Sequence, residues 1–92
     1  MAAADTRIRR RPAPERTVDG QVVVARADLD AALVLPATAA QVWQALAAWR
    51  SPEELARMLA EHHPEVDEAE RAAALASILD QLDAAGLLER AA

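Results

Sequence analysis

The chain has 92 residues, a formal net charge of −5, 25 alanines, and no cysteine, lysine, tyrosine or phenylalanine. A chain of this length makes one domain with a modest core, and the missing cysteines exclude disulfides and thiolate metal sites. No apolar run approaches the roughly 20 residues needed to cross a bilayer and no export-signal stretch is present, so the expectation is a cytoplasmic protein without a membrane partner.

The charge is uneven. Residues 1–26 hold six arginines against three acids, whereas residues 27–92 hold four arginines against twelve acids. An acidic helical body argues against a phosphate-backbone partner, which needs concentrated positive charge. The run Arg7, Arg9, Arg10 and Arg11 reads as a solvated basic tail, or as a contact for nucleic acid or acidic peptide.

Residues 1–13 are small and charged, then broken by Pro12 and Pro14, so they are expected as a flexible basic tail, with the folded domain over 14–92. Ile8 admits a short edge strand near 7–11. A strand begins over Arg16 to Val18, and Asp19-Gly20 supplies a tight hairpin turn because both residues tolerate positive φ. Val22, Val23 and Val24 carry the strongest strand signal, since branched side chains suit a pleated surface. Arg26 to Asp30 makes a second turn, Ala32-Leu33-Val34-Leu35 the next strand, and Pro36 ends it for lack of an amide proton.

From Thr38 the period changes to that of helices. Thr38 with Gln41 reads as a capping box opening the first helix, and Val42, Ala45, Leu46 and Trp49 form its apolar face. Trp49 is thereby expected in the core and Trp43 on the flank of the sheet. Ser51, Pro52 and Glu54 open the second helix, with Leu55, Met58 and Leu59 as its stripe and an end near His62 or His63, ahead of Pro64. Asp67 and Glu70 cap a third, longer helix whose seam is Leu75, Ile78, Leu79 and Leu82, with Leu79 expected among the most sensitive positions. Gly86 reads as its left-handed terminator, with Leu87 and Leu88 folding back over the end.

The fold expected is therefore α+β: a small N-terminal antiparallel hairpin or three-stranded sheet on a three-helix bundle, winged-helix-like. The uncharged strand Ala32–Leu35 leaves a backbone edge that an extended peptide can join. Arg71, Ala74, Ile78, Gln81 and Ala85 make a second stripe on the third helix, read either as a groove wall or as a bland alanine-rich face.

Catalytic chemistry is missing. Ser51 is a cap and Ser77 lies outside any nucleophile context, Gly20 and Gly86 are the only glycines, and adjacent His62 and His63 point about 100° apart, which suits a helix end better than a metal. No enzyme activity, cofactor or metal is expected. A winged-helix DNA binder shares the plan, but Asp67 to Ala85 holds Arg71 as its single base against five acids. A dimerising scaffold, its strand edge satisfied by a second copy, is the other alternative.

Three stretches in order resemble the PqqD-like family of precursor-peptide (RiPP) recognition elements. They are Leu33-Val34-Leu35-Pro36-Ala37-Thr38-Ala39-Ala40-Gln41-Val42-Trp43, Ser51-Pro52-Glu53-Glu54-Leu55-Ala56, and Ile78-Leu79-Asp80-Gln81-Leu82-Asp83-Ala84-Ala85-Gly86-Leu87-Leu88. The chain departs from the family pattern at Pro36, where asparagine is usual, at Trp49-Arg50 in place of an Asp/Asn-Gly turn, and at Asp28-Leu29-Asp30 in place of Thr-Gly. The resemblance implies binding of the leader segment of a ribosomally made precursor peptide as an added strand, and its presentation to a maturation enzyme. That enzyme is a radical SAM protein, or a leader peptidase and cyclase, in pyrroloquinoline quinone and lasso peptide systems respectively. Carried onto this chain, the peptide-binding residues are Ala32, Leu33, Val34 and Leu35 on the strand, and Arg71, Ala74, Ile78 and Gln81 on the helix.

Overall fold

Asp19 adopts φ of 51°, the left-handed conformation that folds strand β2 (Glu15–Val18) back on β3 (Gln21–Arg26). The computed structural model describes residues 7–19, 21–26 and 31–91, so Gly20 and most of the expected second turn, residues 27–30, lie outside the described residues. β3 pairs in turn with β4 (Ala31–Leu35), giving an antiparallel sheet in the order β2-β3-β4. The register sets Arg16 opposite Val23, Val23 opposite Val34, and Val24 opposite Leu33. Alternation then sends Val22, Val24 and Leu35 into the core and leaves Val18 and Val34 on the solvent face.

Helix α1 (Ala37–Ala45) lies against β3, β4 and α3. Its start corrects the sequence expectation. The N-cap is Pro36, extended at φ −65° and ψ 173° with no side-chain cap bond, so Thr38 already lies inside the first turn. Proline is preorganised for this junction, and its carbonyl accepts the Ala40 amide at 2.8 Å. The two tryptophans are also reversed. The buried face is Ala39, Ala40, Val42 and Trp43, continued by Leu46, and the helix stops at Ala45. Trp49 falls in the following loop, half-buried, with the Arg9 guanidinium 4.5 Å from its ring centre.

Helix α2 (Pro52–His62) starts with the expected box: Glu54 N–H donates to Ser51 Oγ at 3.1 Å, and Ser51 N–H to Glu54 Oε1 at 2.8 Å. Helix α3 (Glu68–Ala84) is capped by Asp67, which accepts the Ala69 amide at 3.1 Å. At its other end Gly86 takes φ +73°, with Leu87 N–H donating to Leu82 O at 2.9 Å and Gly86 N–H to Asp83 O at 3.0 Å. That pair of bonds is a Schellman motif. Leu75, Ile78 and Leu82 are buried, but Leu79 is only half-buried, beside Pro52, Ala56 and Ala76 on the α2–α3 flank.

A second, two-stranded sheet joins the two ends of the described chain. Strand β1 (Ile8–Arg10) pairs with β5 (Leu88–Arg90), placing Ile8 opposite Arg90 and Arg10 opposite Leu88. The other edge of β1 is also engaged: Ile8 exchanges backbone bonds with Arg50 at 2.8 and 2.9 Å, and Arg10 N–H donates to Leu46 O at 2.9 Å. β1 thus fills a slot between the α1–α2 loop and β5, with the Ile8 side chain buried. The stretch 1–13, expected as a tail, contains this docked strand, and its residues 1–6 lie outside the described residues.

Candidate functional site

The free edge of β4 can be derived bond by bond. Ala25 N–H donates to Pro14 O at 2.9 Å, so the amide and carbonyl of Ala25 face β2. Neighbouring residues in a strand face opposite edges, so Val22 and Val24 turn their backbone groups toward β4. Their partners Leu35 and Leu33 answer them. Ala32 and Val34, the alternate residues, therefore aim N–H and C=O away from β3, and no strand among the described residues pairs with that side.

Their side chains follow the same alternation. Leu35 is buried and Leu33 packs against the core, whereas Ala32 is exposed and Val34 is 52% exposed. All four β4 residues expected at the site therefore share one rim, two contributing backbone groups to it and two supporting it from beneath.

The helix residues divide differently. Ile78 is buried in the common core; Ala74 and Gln81 are exposed; Arg71 is half-buried. Arg71 Nη1 donates to His63 O at 3.2 Å and to Val66 O, so this guanidinium fastens the α2–α3 loop. Arg71 and Ala74 line a depression of about 190 Å³ together with Thr38, Leu59, His63, Val66 and Glu70. Ile78 and Gln81 are not part of it. His63 Nε2 lies 2.9 Å from Gln41 Oε1, which ties the rim of the depression to α1.

Thr38, His63 and Val66 were not foreseen as site residues. They come from two separate segments, α1 and the α2–α3 loop, and spacing within one helix carries no signal for such a meeting. Gln41, expected in a cap, holds His63 instead because the helix starts earlier. The depression is lined by apolar Leu59, Val66 and Ala74 and by polar Thr38, His63, Glu70 and Arg71, a mixture suited to holding one side chain of an extended ligand.

The basic run is engaged within the fold. Arg7 pairs with Glu54 at 3.2 Å, Arg9 with Glu89 at 2.9 Å and Arg10 with Glu15 at 3.2 Å, while Arg11 Nε donates to Leu88 O at 3.1 Å. Three of the four charges thereby face carboxylates. Among the described residues no group of three His, Cys, Asp or Glu side chains is placed to hold a metal, and no helix is long and apolar enough to cross a membrane. His62 Nδ1 turns back to Met58 O at 2.9 Å.

The family model described as coenzyme PQQ synthesis protein D (PqqD) matches residues 21–88, from the first residue of β3 to the first of β5. No curated protein and no solved structure gives a significant match.

Proposed function

The chain belongs to the PqqD family, a family of non-catalytic adaptors with a general leader-peptide recognition role, and on that premise we propose that it binds its leader by strand addition at β4. The observation that carries this reading is the outward aim of the Ala32 and Val34 backbone groups. Two N–H donors and two carbonyl acceptors form a short ladder, enough to fix an extended peptide in place while side chains select its sequence. Leu33 and Leu35 keep the rim rigid by rooting it in the core. The depression beneath Arg71 and Ala74 takes one leader side chain. The N–H groups of Arg71 beyond Nη1 then attract an acidic one, so that Arg71→Glu weakens binding. The domain presents the held leader to a maturation enzyme, a radical SAM protein or a leader peptidase and cyclase.

Amide hydrogen exchange on the full chain tests the reading. The probe is a nonapeptide selected on the full chain from a random displayed library. In the free protein the Leu33 and Leu35 amides exchange slowly and those of Ala32 and Val34 fast. The selected peptide slows Ala32 and Val34. A peptide that binds and leaves both amides fast sinks the proposal.

A further inference from the structure

The solvent face of the β2-β3-β4 sheet carries Val18, Val23, Ala25, Ala32 and Val34 beside Arg16 and Gln21. Val18 and Val34 are the exposed large hydrophobic residues among those described, 46% and 52% exposed, and both lie on this face. Val23, half-buried, stands between Arg16 and Val34 in one cross-strand row, and Ala25 stands beside Ala32 in the next. The groove along Pro14, Arg16, Val18, Val23 and Ala25 belongs to the same surface. One row therefore runs Arg16, Val23, Val34 and stops at the open edge, with its last side chain half in water.

An added strand continues such rows. Whichever direction it runs, the residue pairing with Val34 places its side chain on the same face as Val34, because paired residues of adjacent strands share a face. The neighbouring peptide residues point to the opposite, inner face. We infer that the solvent face of this sheet is a second selector within the peptide site: the leader residue opposite Val34 is chosen for an apolar, β-branched side chain that extends the Val23–Val34 row. The inference rests on strand addition at β4 and adds to it the chemistry of the ligand. The leader recognised has apolar residues on both of its faces near the point of contact, one buried inward and one laid against Val34. A leader read by its inner face alone would alternate apolar and polar.

The test uses the full chain and the nonapeptide consensus selected from a random displayed library, with interstrand NOEs identifying the residue opposite Val34. Enrichment of valine or isoleucine at that position is expected. Replacing that residue by serine weakens binding by about two- to fivefold, the range of one apolar cross-strand pair. In the Val34→Thr variant, which keeps the branched shape and the backbone ladder, the same replacement changes affinity by less than about 1.5-fold, while inward positions keep their selectivity. A peptide that protects the Ala32 and Val34 amides yet accepts serine or lysine opposite Val34 without loss overturns the inference and leaves strand addition standing. A library yielding no peptide that protects those amides overturns both.

Discussion

Trp43 Nε1 donates to Glu15 Oε1 at 3.0 Å, and this bond fastens the buried face of α1 to β2, the edge strand opposite β4. The Trp43 ring is fully buried, so its N–H has no access to water and requires an acceptor. Arg10 completes the arrangement, with Nη1 3.2 Å from the same carboxylate oxygen and its guanidinium 5.0 Å from the Trp43 ring centre. One side chain on β1 and one on β2 thus converge on one indole.

Glu15→Ala is expected to destabilise the protein by about 1–3 kcal/mol, the cost of leaving a buried donor without its partner. Glu15→Gln, which keeps the acceptor oxygen, should lose less. Urea denaturation midpoints with unchanged slope check this. Equal losses for the two variants would show that the charge on Glu15, and not the acceptor for Trp43, sets its contribution.

Leu82 is fully buried and Leu79 only half-buried, so Leu82→Ala should cost about 2–5 kcal/mol and Leu79→Ala clearly less. The apolar seam of α3 places Leu79 among the most sensitive positions, and its half-burial removes it from them. Leu79 sits between the core and the α2 flank, beside small alanine side chains, and part of its surface is wet already in the folded state.

The Glu54 carboxyl is held below its ordinary value of 4.5, first by the Ser51 backbone N–H and then by the nearby Arg7 and Arg50 charges, against an opposing contribution from burial. A depressed folded pKa means stability that is fully present above the unfolded value and is lost as pH falls through the folded one. Glu54→Gln keeps the capping geometry and removes the charge. Wild type is expected to be the more stable above about pH 4.5, and the gap should close as pH drops below that value. Denaturation midpoints of both proteins from pH 6 to pH 3 check the sign; a gap that widens toward acid contradicts it.

Local chemistry explains which elements were legible in the sequence. The Ser51–Glu54 box, the Asp67 cap and the Gly86 terminator each depend on a few adjacent residues, and each is found where the sequence places it. Two stripes compete for the buried face of α1. Val42, Ala45, Leu46 and Trp49 have helical spacing, and so do Ala39, Val42, Trp43 and Leu46. The helix ends at Ala45, which removes Trp49 from the first stripe and lets the second win. The pairing of β1 with β5 joins two three-residue strands from opposite ends of the chain, too short for any period to show. That β4 lies at an edge of its sheet was readable because edge status follows from strand order. The engagement of Arg71 was not readable, because the carbonyls it bonds to belong to the α2–α3 loop and are invisible to spacing along α3.

The alternation along β4 also fixes where proline is tolerated. The Ala32 amide points outward, so Ala32→Pro removes no bond to β3, and an edge strand accepts proline on its solvent side. The Leu33 amide points to Val24, so Leu33→Pro breaks the β3–β4 ladder and also removes a side chain packed on the core. Ala32→Pro should therefore stay within about 1 kcal/mol of wild type, whereas Leu33→Pro should cost more than about 3 kcal/mol or fail to fold. The same Ala32→Pro variant lacks one of the two outward donors and places a ring where an added strand would lie. Its affinity for a selected nonapeptide should fall at least about tenfold while its denaturation midpoint barely moves. A stable Ala32→Pro variant that binds as well as wild type would show that peptide is held elsewhere than on this rim, and one that unfolds would show that the amide of Ala32 faces inward after all.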